Sequence, residues 1–266
     1  MNFTTILLNI NGPVATITLN RPEKRNAISY QLIEELLAAM QHVEQSAAQV
    51  LILTGTGSAF CSGMDLEDLR HMLGRSAAQS LADAKTMAVL FRSLYEFPRP
   101  TIAAVNGHAI AGGTGLATLC DFTLSVPAAK FGYTEVKIGF VPAIVSTFVL
   151  RQVGEKIARD LLLTGRLISA EEALRIGLIT EICTPPELMP RVQALAAQLL
   201  ENSPASLRYT KKLLSDEGSA HLDRRIEIAV TANAEVRSTP DFREGITAFL
   251  EKRKPRWATN GSSESA

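Results

Sequence analysis

The segment NGHAIAGGTGLATLCD, Asn106–Asp121, places four glycines among small residues in sixteen positions, directly after the apolar run TIAAV. Glycine permits dihedrals and close approaches that a side chain forbids, and it costs conformational entropy on folding. Such a cluster therefore points to a ligand or to a tight packing contact. Phosphate binding is one reading, but the chain has no Walker-type GxxxxGK motif, and GHAIAGGTG does not match GxGxxG in spacing. A second reading uses the same physics. Glycines ahead of a helix let amide N–H groups point outward at the positive end of the dipole, where a developing oxyanion is held. Another Gly/Ser loop, GTGSAFCSGMDL (55–66), also follows an apolar strand, so each loop can supply one donor.

Upstream, FTTILLNINGPVATITLNRP (3–22) alternates β-branched and polar residues around Asn11-Gly12, which predicts two antiparallel strands. Ser29 is placed to cap a helix in which Leu32, Ile33, Leu36, Leu37, Met40 and Val43 recur at helical spacing, to about residue 46. VLILTG (50–55) reads as a buried strand, 76–97 as a long amphipathic helix, and PRP (98–100) as a rigid break before the next strand. DFTLSV (121–126) predicts a further strand and AKFGYTEVKIGFVPA (129–143) a structured loop. IVSTFVLRQVG (144–154) predicts a helix stopped by Gly154, and Ser169 caps the next. Beyond LITEIC (178–183) the pattern is helical: about 187–202, 204–215, 220–238 and 240–251. Strands alternating with helices, then helices alone, predict an α/β core with a helical C-terminal extension. The last nine residues, 258–266, read as a disordered tail.

The chain has 266 residues, 46% hydrophobic and 20% charged, long enough for one large core. Lys plus Arg balances Asp plus Glu at 27 each, which gives no reason to expect nucleic acid or an anionic membrane as partner. Cys61, Cys120 and Cys183 form no CxxC pair, and the N-terminus lacks a basic region followed by an apolar run, so the expected setting is reducing and cytoplasmic. No apolar stretch reaches bilayer length. No His/Cys/Asp set has metal-ligand spacing and no GxSxG elbow occurs, so neither a metal nor a serine hydrolase is expected. Cys61 reads as packing, His108 as packed or hydrogen-bonded, and His42, His71 and His221 as surface groups.

FCSGMDL and NGHAIAGGTGLATLCD, preceded by ITLNRPEKRNAIS and followed by KFGYTEVKIGFVP and FLEKRKPRW, resemble in this order the enoyl-CoA hydratase/isomerase family, also called the crotonase superfamily. The likeness runs from about residue 3 to 257. It implies an α/β fold, a crotonase-like spiral of ββα turns over 1–200, and a helical region over 201–257 for trimerisation, often as a dimer of trimers. The implied substrate is an acyl-CoA thioester, coenzyme A being part of the substrate and no separate cofactor being needed. By motif position the thioester carbonyl accepts from the amides of Met64 and Gly112, an oxyanion hole. Loss of one such donor costs about a hundredfold to a thousandfold in rate in other acyl-transfer enzymes. Gly112 and Gly113 are then bare where the thioester passes. Ser62, Gly63 and Asp65, with Ala27 and Leu66, are implied to line the CoA path, and Lys24, Arg25, Lys252 and Lys254 to meet its phosphates; Asp65 also caps a helix beginning nearby.

Hydratases of this family commonly hold a water between two glutamates. One is matched by Glu135; the other falls at position 115, where this chain has Gly115. An isomerase that shifts a double bond from C3 to C2 needs one base only. Val136, Ile138, Phe140 and Val141 predict a dry setting in which the carboxyl pKa rises toward the working pH. FGYTEVKIGFVPAIVS and AGGTGL look most like bacterial members assigned as methylglutaconyl-CoA or related enoyl-CoA hydratases, in which the helix glutamate can be absent. The expectation is a hydratase of short or branched 2-enoyl-CoA thioesters, with Glu135 as acid and base and Asp65, Ser62 or His108 assisting the water. A Δ3,Δ2-enoyl-CoA isomerase and a non-catalytic acyl-CoA-binding member stay open.

Overall fold

The computed structural model describes residues 3–216 and 219–257; the tail expected to be disordered lies outside them. Strands β1 (Ile6–Asn11) and β2 (Val14–Leu19) form the expected hairpin. Its register pairs Asn11 with Val14, so the two-residue turn is Gly12-Pro13 rather than Asn11-Gly12. Proline cannot take a positive φ, and Gly12 alone does, at 56°. The hairpin begins a six-stranded sheet in the order β1-β2-β3-β5-β7-β10, with β3 at Val50–Gly55, β5 at Thr101–Val105, β7 at Phe122–Ser125 and β10 at Glu181–Ile182. From β2 onward all neighbours are parallel. Parallel strands are covered on both faces, which is why VLIL and TIAAV are buried without alternation.

Segments 55–66 and 129–143, read as loops, also carry short strands. A second sheet runs β4 (Ala59–Cys61), β6 (His108–Ile110), β8 (Lys130–Gly132) and β9 (Ile168–Ser169). Each long strand is thus followed by a short one and then a helix: β3-β4 leads to α2 (Leu66–Met72) and α3 (Ala77–Tyr95), and β5-β6 to α4 (Gly112–Thr118). After β7-β8 comes α5 (Ala143–Thr164). This is the spiral of ββα turns. Helix α1 (Tyr30–Glu44) starts at Ser29, whose hydroxyl accepts from the Leu32 amide, and α3 starts with a capping box between Ser76 and Gln79. Gly154 does not end α5. It leaves helical geometry (φ 75, ψ 166) and breaks the helix into two segments, the second running to Thr164.

After α6 (Ala170–Arg175) and α7 (Pro185–Leu200), helices α8 (Pro204–Asp216), α9 (Ser219–Val236) and α10 (Pro240–Leu250) fold back onto the spiral. Buried Lys211 of α8 pairs with Asp121 at 2.6 Å and donates to the Arg99 carbonyl at 3.0 Å. Helix α9 packs on α3 and α5, while α10 packs on α2 and on a short 3-10 turn at Glu135–Ile138. A Cβ on Gly139 or Gly245 would collide with the facing backbone at this last contact, so the approach is close enough to exclude side chains. No helix among the described residues is long and apolar enough to cross a membrane.

Candidate active site

The two glycine loops meet through the segment 21–28. Asn26, fully buried at φ 54, accepts from the Arg21 amide at 2.9 Å and donates to the carbonyls of Thr56 (2.9 Å) and Ala59 (2.8 Å). Ile28 then forms a parallel bridge with Met64: its amide donates to the Gly63 carbonyl at 2.7 Å, and its carbonyl accepts from the Asp65 amide at 2.9 Å. Because bonding direction alternates along an extended chain, the Met64 amide between them faces the other way. On the second loop Ala111 is held at φ 53, ψ −123, a region non-glycine residues rarely occupy, by a 2.7 Å bond to the Gly132 carbonyl. Gly63, at φ 89, packs on Ala111 so closely that a Cβ on it would lie 3.1 Å from the Ala111 Cβ. Each candidate donor thus follows a residue with positive φ, which turns its amide. Among the described residues no backbone hydrogen bond takes up the amide of Met64 or of Gly112; the latter opens α4, where amides have no partner within the helix.

The glycines of the second loop have different reasons for being bare. Gly112 lines a cavity, and a Cβ there would meet only side-chain tips, Ile28 at 3.0 Å and Phe91 at 3.7 Å. Gly113 does not line it: a Cβ would collide with the Cys61 carbonyl, so this position is glycine for packing. Gly115 faces Val145 and Phe91, 2.9 and 3.2 Å from where its Cβ would be. Apolar side chains fill the place of a second carboxylate.

The cavity lies between α1, α3, α5, α9 and the loops, and its walls include Met64, Gly112, Glu135, Phe91, Ile144 and Val145. Glu135 opens the 3-10 turn after β8, as the sequence places it beside Ile138, Phe140 and Val141. The residue keeps some accessible surface, but its Oε2 has none and no hydrogen-bond partner. Burial pushes its carboxyl up to about 7, close to the point where it can both take and return a proton.

The other expected residues distribute as follows. Asp65 is 2% exposed, caps α2 through the Glu67 amide at 2.9 Å and pairs with Arg21 at 2.7 Å. Burial opposes its charge, but those two partners hold it below the usual carboxylate range. It does not line the cavity, and neither does exposed His108, whose Nδ1 accepts from the Lys130 amide at 3.1 Å. Of the three residues expected to assist a water, Ser62 alone reaches the cavity; Thr134, with no motif to announce it, also does. Ala27 is buried and its carbonyl accepts from Arg21 at 2.7 Å, while Leu66 is 53% exposed at the start of α2. Lys24, Arg25, Lys252 and Lys254 are exposed, Lys24 lying 3.9 Å from Glu67. Lys252 follows cavity-lining Phe249 by three residues. Cys61 is buried, its thiol pushed up to about 12, and His42, His71 and His221 are exposed.

Sequence spacing did not reveal the polar side chains on the α3–α9 side: Tyr30, Asp83, Asn233 and Arg237. They come from three helices separated by as much as two hundred positions, and no local pattern joins them.

Known proteins resemble this chain over nearly its whole length. A Thermus thermophilus protein provisionally named an enoyl-CoA hydratase is 45% identical over 92% of this chain and 98% of its own. The crotonyl-CoA hydratase of Syntrophomonas wolfei is 35% identical over 96% and 98%. The crystal structure of an enoyl-CoA hydratase from Mycobacterium avium superposes with a TM-score of 0.85 at 33% identity, covering 97% of this chain and all of that one. The family model for enoyl-CoA hydratase/isomerase matches residues 9–260. With the spiral fold, the paired loops and the glutamate in one cavity, the chain belongs to the enoyl-CoA hydratase/isomerase family of enzymes.

Proposed function

We propose that the protein hydrates 2-enoyl-CoA thioesters with Glu135 as its one acid and base. The observation that carries this is a single cavity joining two uncommitted amides to a carboxylate with an unpartnered, solvent-free oxygen. In this reading the thioester oxygen accepts from the Met64 and Gly112 amides. Glu135 takes a proton from water, the hydroxyl adds to C3, and negative charge moves onto the thioester oxygen, where the two amides stabilise it. The protonated Glu135 then returns the same proton to C2, so that the elements of water add across the double bond. Ser62 and Thr134, two aliphatic hydroxyls in the walls, orient the water. Lys24, Arg25 and Lys252 meet the CoA phosphates.

A second reading, Δ3,Δ2-enoyl-CoA isomerisation, is favoured by one observation: Val145 and Phe91 occupy the place of a second carboxylate, and one base suffices to take a proton from C2 and return it at C4 as the double bond moves from C3 to C2. Absorbance of the conjugated thioester separates the two. Loss with crotonyl-CoA is expected; a gain with a 3-enoyl-CoA and no loss with crotonyl-CoA establishes the isomerase instead. Assembly as a homotrimer or dimer of trimers belongs to the same proposal. It is supported by Tyr209, Leu213 and Leu214 of α8, which are 66–71% exposed, and light scattering of the purified protein tests it.

A further inference from the structure

The turn that carries the Gly112 amide leaves the sheet just before it is needed. Pairing between β6 and β8 ends at Ile110 and Gly132, so Ala111 and Gly112 lie beyond the ladder. Ala111 is nevertheless held at φ 53 and ψ −123, a conformation that persists only where the surroundings over-determine it. Part of that constraint comes from a side chain with no part in the chemistry.

Thr114 is fully buried and does not line the cavity. Its hydroxyl donates to the Ala109 carbonyl at 2.7 Å, closing a loop around Ala111 and Gly112. The same oxygen accepts from the Gly132 amide at 3.1 Å and lies 3.0 Å from the Gly132 carbonyl, which in turn accepts from the Ala111 amide at 2.7 Å. One hydroxyl therefore ties the strained turn to the end of β8, three residues before Glu135. Thr118, one helical turn further along α4, repeats the tie. It donates to the Thr114 carbonyl at 2.9 Å, and its oxygen lies 3.4 Å from the hydroxyl of buried Tyr133, two residues before Glu135.

We propose that Thr114 is a positioning residue: its hydroxyl holds the Ala111–Gly112 turn against the strand end that leads to Glu135, and so sets the aim of the Gly112 amide relative to the base. The assignment rests on the reading of Gly112 and Glu135 above. Thr114 touches no reacting atom and acts through the backbone. Charge builds on the thioester oxygen only as the reaction proceeds, so a misaimed donor lowers kcat more than it raises KM.

The test replaces Thr114 by Val, which keeps the branched shape without the hydroxyl, by Ala, and by Ser, which keeps the hydroxyl. Thr123→Val is the control: that buried hydroxyl donates to the Ala117 carbonyl of α4 at 2.8 Å, away from the cavity. With crotonyl-CoA, below the melting temperature of each variant, Thr114→Val and Thr114→Ala are expected to lower kcat by about tenfold or more with KM within about threefold. Thr114→Ser should recover most of the loss, and Thr123→Val should melt earlier with kcat unchanged. If Thr114→Val does not fold, the Ala and Ser variants carry the same comparison. A second readout needs no turnover: the carbonyl stretch of crotonyl-CoA bound to Glu135→Gln, which falls as hydrogen bonds to the thioester oxygen strengthen. Adding Thr114→Val is expected to shrink that downshift, and Thr114→Ser to restore it. An unchanged kcat and downshift without the hydroxyl overturn the proposal, as does an equal loss in Thr123→Val. If the wild type does not hydrate crotonyl-CoA, the hydratase reading fails and the downshift alone decides on Thr114. A bound thioester with no downshift at all overturns the oxyanion reading and this proposal with it.

Discussion

The cavity has two walls of different construction. One is backbone: the amides of Met64 and Gly112, each behind a residue of positive φ, with Glu135 of a third loop in the same cavity. The other is side chain: Tyr30, Asp83, Asn233 and Arg237, gathered from α1, α3 and α9. In the proposed reaction the backbone wall handles what every thioester shares, a carbonyl and an acidic C2. The backbone wall is thus built from short loop motifs, and the side-chain wall from the packing of helices far apart in sequence.

The most severe way to break this division is at the base. Glu135→Gln keeps the shape and removes the proton acceptor; turnover is expected to fall by about a hundredfold to ten-thousandfold while CoA-ester binding, followed by calorimetry, survives. Unchanged turnover removes Glu135 from the chemistry.

A second effect, up to about tenfold per pH unit, follows from the same carboxyl. It works as the carboxylate, so kcat/KM for hydration should rise with pH through about 7 and then level off. The sign for stability is opposite. The folded carboxyl, near 7, lies above its ordinary 4.5, so the neutral form favours the fold below 4.5 and that benefit is lost as pH rises through 7. Glu135→Gln should therefore melt above the wild type at pH 8 and with it at pH 4. Coincident melting at both pH values contradicts the buried setting.

The two adjacent glycines sharpen the comparison within the backbone wall. Gly113→Ala drives a Cβ into the Cys61 carbonyl and should destabilise by about 1–3 kcal/mol or more. Gly112→Ala, meeting only the side-chain tips of Ile28 and Phe91, should fold normally and act on substrate kinetics. Denaturant melts of both, alongside turnover, check this, and equal loss of stability in the two would erase the distinction. The smallest effect is expected at Ala111→Gly, which relieves φ 53 but enlarges the unfolded ensemble: a stability change within about 1 kcal/mol, with turnover reduced if the strained turn is what aims the Gly112 amide.

Long periodic elements were legible. The apolar spacing of α1 and the continuous apolar runs of β3 and β5 are each repeated over enough residues to stand out. Three-residue strands such as β4, β6 and β8 leave no period to read, so the second sheet emerged only in the structure. Gly154 shows the same limit. Its positive φ was foreseeable, but resumption of the helix beyond it depends on packing. The C-terminal helices were foreseeable as helices; that α9 and α10 close the cavity of their own chain was not.

By itself, the sequence determined the order of the long strands and helices and the two glycine loops, because each rests on neighbouring residues and backbone preference; Glu135 was picked out by its place in a family motif. Tertiary structure alone decided that Gly113 is bare for Cys61, that Val145 and Phe91 fill the space beside Gly115, and that Arg237 shares a cavity with Glu135. Those facts depend on contacts between distant segments, whose distances no local pattern encodes.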